Sequence, residues 1–403
     1  MSRKLTIKNL ALIIVCGLSF LLLNRTISFN HISHPQHNCR FWGMVFTGEL
    51  TLEWQSDIQT HLDSLKGLSL ANNDGWGIGY FVSPYQNRIL PVISRGEPKA
   101  ISDARYDNTV LEMTNCVKNA VIAHVRKGSS GPTGGIPNPH PFRRTSIDTS
   151  RHFDMLFAHN GTISINLLLS LIDPTYLTLN PPDYNPNFLD SDLFAIYVMQ
   201  IVDNFPAYSI HQCIVIAVSG LALHLHQNGQ NAFLNFVMTD GSTIWALRYA
   251  DFDTNNYGLY YFPGTFTSAK WEVASQPLDK NLSLWQEIPN YSMITLVPDK
   301  PPVIYSFETK TFAEAAKTFV FENIYPNPCG DILKIRYYSP DSRNVRITLY
   351  DVSGRLIDNV FNGNARMGIN ETPYVLRNLS SGVYFVHLDT EEKQMTKKVI
   401  FQK

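Results

Sequence analysis

NCRFWGM (Asn38–Met44) places a single cysteine, Cys39, ahead of a short apolar run, and four further segments belong with it. They are NNDGWGIGYF (Asn72–Phe81), AHVRKGSSG (Ala123–Gly131), NPHPF (Asn138–Phe142) and FAHNGTI (Phe157–Ile163). Singly, each is ordinary. A free cysteine is commonly a small core residue. An arginine at a strand end is more often a solvated charge, and Asn-Gly after a strand is a common turn. Their order along one chain is what decides the reading.

Around these segments the composition is that of a folded protein. The 403 residues leave room for two or three domains. An apolar fraction of 44% argues against disorder. Thirty-three Lys and Arg against 34 Asp and Glu give a net charge of -1, without the basic excess of a nucleic-acid binder, so no nucleic-acid partner is expected. Five cysteines are too few for a disulfide-dense scaffold and lack the paired spacing of structural zinc.

Residues 1–38 read as a separate object. Arg3, Lys4 and Lys8 precede the apolar run LALIIVCGLSFLLL (Leu10–Leu23). That run suits a secretory signal better than a spanning helix of about 20 residues, with a short signal anchor as the alternative. The polar stretch after it, with His31, His34 and His37, reads as spacer or pro-segment. No stable membrane span is expected in the mature form.

Downstream, Gly77–Val82 and Arg88–Ile93 read as neighbouring strands, and Thr109–Val117 as helix. Ala120–Val125 and Met155–Ala158 resume as buried strands. Asp190 or Asp192 opens another helix, and Ser209–His226 forms a second, stopped at Asn228-Gly229. FLNFVMTDGSTIWALR is a hairpin turning at Asp240-Gly241. Helices and strand pairs in blocks predict an α+β layered architecture with antiparallel sheets. Proline-rich text near 299–322 reads as a linker. Beyond it, short alternating strands (Ile332–Tyr338, Val345–Tyr350, Val383–Leu388, Thr396–Phe401) predict a small β-sandwich over 323–403.

The five segments together resemble the class II glutamine amidotransferase domain of the N-terminal-nucleophile hydrolases, most closely its stand-alone branch. The resemblance covers about Cys39–Val297, giving a domain of 39–298, and implies a four-layer αββα fold. In the family a cysteine near the mature start is the nucleophile, matched by Cys39-Arg40. Asp74–Gly77 matches the DGWG text, and His140-Pro141-Phe142 matches the HPF segment that shapes the pocket. In His124-Val125-Arg126 the arginine corresponds to the group that grips the substrate α-carboxylate. In His159-Asn160-Gly161 the resemblance assigns the oxyanion hole to Asn160 and Gly161. Asp190, in Leu189-Asp190-Ser191-Asp192, is the counterpart of the aspartate that holds the α-ammonium. Leu189 departs from the family's threonine, and Asp192 is the fallback.

The chemistry suits these roles. A thiol with a pKa of about 8.5 needs a base at neutral pH. A free α-amine on the same residue, at about 7.7–8.0, supplies one. An internal Cys39 has an amide there instead, so the reading requires removal of residues 1–38. Neither cofactor nor metal is expected. His124, His140 and His159 have no tight ligand spacing. The Gly134-Gly135 segment lacks the Gly-Lys-Ser/Thr of a phosphate loop and reads as a substrate-covering loop.

From about Asn323 the chain resembles the C-terminal sorting domain of the Bacteroidota type IX secretion system, an immunoglobulin-like sandwich. YPNP (Tyr325–Pro328), LYDVSGRLI (Leu349–Ile357), LSSGVYFVHL (Leu379–Leu388) and the basic end Lys397–Lys403 carry it. The resemblance implies partnership with that secretion machinery and an extracellular or cell-surface location. Since nothing in the chain resembles a synthetase that would receive ammonia, hydrolysis of glutamine or another γ-glutamyl amide is the expected activity. A surface or binding protein that keeps the fold without a freed cysteine is the alternative.

Overall fold

The computed structural model describes residues 39–402 except 86–87, 129–134, 136–137, 149–152, 184–187, 263–268, 280–281, 308–318, 367, 377–378 and 391. The expected signal and pro-segment, and most of the expected substrate-covering loop, lie outside the described residues.

The first part of the chain builds two antiparallel sheets. The seven-stranded sheet has the order β11-β9-β10-β1-β4-β2-β3. Its strands are β1 (Arg40–Phe46), β2 (Trp76–Tyr85), β3 (Arg88–Gly96), β4 (Ala120–Val125), β9 (Tyr260–Phe262), β10 (Lys270–Ala274) and β11 (Gln286–Glu287). The six-stranded sheet runs β13-β12-β8-β7-β6-β5. It comprises β5 (Phe142–Thr145), β6 (Asp154–Asn160), β7 (Asn235–Thr239), β8 (Ile244–Arg248), β12 (Ser292–Leu296) and β13 (Val303–Ser306).

Alternation along each strand divides the side chains between two cores. In β1, Phe41 and Val45 pack with Leu156 and Ala158 of β6 and Val237 of β7, joining the two sheets face to face. Trp42, Met44 and Phe46 point the other way, onto helices α1 (Leu52–Leu68) and α2 (Ala104–Cys116). In β6, Met155 and Phe157 likewise turn from the partner sheet onto helices. These are α3 (Ile165–Leu171), α4 (Pro174–Leu179), α5 (Asp190–Asn204) and α6 (Ile210–Gln227). Burial on both faces explains why these strands read as almost unbroken apolar text. Among the described residues, α6 alone is long and apolar enough to cross a membrane, and 56% of that stretch is buried within the protein.

Local signals set the helix ends. Asp103 caps α2 by accepting from Arg105 N–H, which starts that helix five residues before the expected Thr109. Ser209 and Gln212 form a reciprocal capping box at the start of α6, and Gly229 follows it at φ 66°.

A buried charge network ties α1 to the seven-stranded sheet. Glu272 of β10 accepts from Trp42 Nε1 at 2.9 Å and Lys270 Nζ at 3.0 Å, and lies 2.6 Å from His61 Nδ1. Burial alone would raise the Glu272 carboxyl, but His61 and then Lys270 outweigh it and hold it down at about 2. Its stabilising contribution is therefore complete above the ordinary value of 4.5 and lost as pH falls toward about 2. Unfolding midpoints measured over that window are expected to fall steeply for the native chain and to flatten in Glu272→Gln.

The proline-rich segment expected to be linker is partly sheet. β13 pairs with β12 (Ser292↔Ser306, Thr295↔Val303), and Phe307 enters the helix-side core. The prolines at 301 and 302 precede the strand, and β13 occupies a sheet edge, where missing N–H groups are tolerated.

The C-terminal part is β-sheet-rich. β14 (Val320–Tyr325), β15 (Ile332–Ser339) and β18 (Gly368–Val375) form one sheet. β16 (Arg343–Asp351), β17 (Leu356–Ala365), β19 (Gly382–Thr390) and β20 (Gln394–Phe401) form the other. Ile335 and Tyr337 of the first share one core with Ile347, Val386 and Val399 of the second. Cys329, whose state the sequence leaves open, is a buried free thiol.

Candidate active site

Cys39 sits at the mouth of β1, and pairing of β1 with β4 (Arg40↔Val125) sets it beside the residues that follow β4. Its Sγ is 3.3 Å from both the N–H and the carbonyl of Lys127. Burial pushes the Cys39 thiol up, against the opposing pull of the Lys127 backbone, Arg126 and Arg40.

The DGWG segment fixes that strand end. Asp74 N–H donates to Arg126 O, Arg126 N–H to Gly75 O, and Asp74 Oδ2 accepts from Gly128 N–H at 2.8 Å. A Cβ at Gly77 would fall 2.0 Å from His140 O, so the glycine lets the HPF segment lie flat on β2. His140 is held edge-on between His124, 4.2 Å away, and Phe142, 5.0 Å away. Burial, then the neighbouring His124 and Arg126, pushes His140 well below its usual value. His124 is driven down to about 3, chiefly by burial and then by Arg126. Both rings are neutral at physiological pH.

On the facing sheet, β6 ends at Asn160, whose Nδ2 is buried without a hydrogen-bond partner among the described residues. Gly161 follows in close quarters, since a Cβ there would stand 1.9 Å from Phe233 O. Asp190 opens α5, and its carboxylate accepts from Ile163 N–H at 2.9 Å and Ser191 N–H at 2.8 Å. Asp192 is committed elsewhere. Its carboxylate pairs with Arg144 and accepts from Asp183 N–H, and burial nevertheless raises its pKa.

One pocket gathers Cys39, Arg126, His140, Gly161 and Asp190. Asn160 adjoins it through Gly161, while Asp192 is not among the lining residues. Lys127, Gly128, His159, Leu189 and Ser191 complete the wall. Sequence reasoning gave none of these five a role. Lys127 meets the sulfur through its backbone, and Ser191 reaches His159 only through tertiary contact, so neither leaves a side-chain pattern to read. A thiol, a buried guanidinium and a carboxylate facing one cavity can hold a small amino acid by its head while the sulfur faces its side chain.

The family profile of glutamine amidotransferases class-II matches residues 39–258, and that of the secretion system C-terminal sorting domain matches residues 323–402. Among curated proteins, the probable glutamine amidotransferase DUG3 of Saccharomyces cerevisiae is 25% identical over 313 residues, spanning 64% of this chain and 81% of the yeast protein. Among solved structures, a glutamine aminotransferase class-II domain protein from Silicibacter pomeroyi aligns at 18% identity with a TM-score of 0.43. It covers 67% of this chain and 99% of its own. PorZ of Porphyromonas gingivalis, a surface component of the type-IX secretion system, aligns at 16% identity with a TM-score of 0.17, covering 29% of this chain and 16% of its own.

Proposed function

Because this chain belongs to the class II glutamine amidotransferases, we propose that it is an amidohydrolase releasing glutamate from glutamine or another γ-glutamyl amide. The sorting domain marks it for export to the cell surface or the medium. Residues 1–38 act in this reading as a signal and pro-segment whose removal makes Cys39 the first residue. The packing order of helices, two sheets and helices is taken as the αββα arrangement of N-terminal-nucleophile hydrolases, and the tail as an immunoglobulin-like sandwich.

The observation that carries the reading is the convergence of Cys39, Arg126, Gly161 and Asp190 on one pocket. Arg126 receives the substrate α-carboxylate and Asp190 its α-ammonium, so the side-chain amide extends toward Cys39. The Cys39 α-amine takes the thiol proton, and the sulfur attacks the γ-carbonyl carbon. The resulting oxyanion is held by Asn160 Nδ2–H and Gly161 N–H. The protonated amine then delivers its proton to the leaving nitrogen, ammonia departs, and a thioester remains. Water, deprotonated by the same amine, attacks the thioester and frees glutamate. Burial of the thiol raises the need for that amine, since an internal cysteine here is held protonated.

The test is hydrolysis of glutamine by chain beginning at Cys39, with glutamate and ammonia expected in equal amounts. Asp190→Ala is expected to weaken binding of the amino-acid head by about 30-fold, the loss of one partner of a buried charge pair. Asp192→Ala lacks that effect because its carboxylate serves Arg144. Equal turnover of a primary amide that lacks the amino-acid head would overturn the proposal.

A further inference from the structure

We infer that His159 is a positioning residue that braces the Asn160-Gly161 turn and, through the Ser191 hydroxyl, keeps Asp190 open to the substrate ammonium. The inference rests on the pocket reading above. The tautomer follows from the partners. His159 Nε2 lies 3.0 Å from the carbonyl oxygen of Phe233, which can only accept, so Nε2 carries the hydrogen. Burial lowers the His159 pKa in spite of the nearby Asp190, so the ring is neutral and Nδ1 bears a lone pair. Ser191 Oγ, 2.9 Å from Nδ1, must then donate its one hydrogen to that nitrogen.

This has a consequence for Asp190. Its Oδ1 lies 3.3 Å from the same Oγ, within donating reach, but with the hydroxyl's one hydrogen given to the shorter Nδ1 contact none remains for the carboxylate. Among the described residues, the donors left to the carboxylate are the backbone N–H groups of Ser191 and Ile163, one to each oxygen. A carboxylate offers about four acceptor sites, so capacity remains for a cation. With the opposite tautomer, Nδ1–H would donate to Ser191 and the hydroxyl would turn to Asp190, filling one of those sites.

The same ring floors the oxyanion turn. A Cβ built on Gly161 would stand 1.9 Å from Phe233 O and 2.5 Å from His159 Nε2, so the turn rests on both members of that hydrogen bond. Phe194 of α5 meets the His159 ring edge-on at 5.4 Å, closing the cage from the helix that begins at Asp190. Head recognition and oxyanion geometry thus share one brace.

The test combines imidazole nitrogen NMR on ligand-free mature chain with glutamine kinetics of Ser191→Ala, His159→Phe and His159→Gln. His159 is expected to show a protonated Nε2 and a lone-pair Nδ1 throughout the neutral range. Ser191→Ala, which removes the hydroxyl and leaves Asp190 open, is expected to lower kcat about fivefold with KM changed less than about twofold. His159→Phe, which frees the hydroxyl to turn to Asp190, is expected to lower kcat about tenfold and to raise KM about fivefold. His159→Gln, whose amide N–H can still reach Phe233 O, is expected to restore most of the loss. A hydrogen on Nδ1, or native kcat in both Ser191→Ala and His159→Phe, would overturn the inference. Because the nitrogen signals are read without substrate, they decide the tautomer even if glutamine is not turned over, an outcome that would count against the proposed reaction alone.

Discussion

Replacing Cys39 by alanine in the mature chain is expected to lower kcat for glutamine hydrolysis on the order of 10⁴–10⁶-fold, the loss seen when a covalent nucleophile is removed. Among the described residues lining the pocket Cys39 is the one thiol, and Lys127 Nζ is drawn to Asn73 Oδ1 at 3.0 Å. Glutamate binding is expected to survive, because Arg126 and Asp190 are untouched and the thiol faces the other end of the molecule. Steady-state ammonia release and calorimetric titration with glutamate separate the two effects. Native turnover in Cys39→Ala would remove the nucleophile from the account.

Asn160→Ala is expected to cost about 10²–10³-fold in kcat with KM nearly unchanged, since an oxyanion donor matters most in the transition state. The resting structure strengthens this expectation. A buried donor left without a partner costs about 1–3 kcal/mol, and among the described residues Asn160 Nδ2 has none. Removing it breaks no hydrogen bond of that nitrogen, so the thermal midpoint is expected to hold or rise while turnover collapses. A variant that loses stability together with activity would mark Asn160 as structural. One with kcat within threefold of native would leave the oxyanion without its side-chain donor.

Much of this arrangement is legible in the sequence. The strands read from apolar text are present because both sheets are buried on two faces, which leaves a strong compositional trace. Ser209 and Asn228-Gly229 mark the ends of α6 through capping chemistry that acts within a few residues. The elements that escaped notice lack such traces. β17 is a sheet-edge strand whose text, LIDNVFNGNA, is largely polar because much of it faces solvent. β13 was hidden by the prolines before it. The motif residues Cys39, Arg126, His140, Gly161 and Asp190 could be named individually, but their meeting in one pocket depends on the β1–β4 pairing and on the start of α5. The choice between Asp190 and Asp192 required Arg144, 48 residues from Asp192 in sequence, whose guanidinium takes up the Asp192 carboxylate. Glu272 likewise gave no signal in KWEVA, because its partner His61 is 211 residues away.

The claim that Cys39 works through its own α-amine is tested most directly by amino-terminal peptide mapping of the exported, catalytically active protein by mass spectrometry. The account predicts a first residue of Cys39 with a free amine. Fully active protein that retains Asn38 or any residue before it would contradict the mechanism.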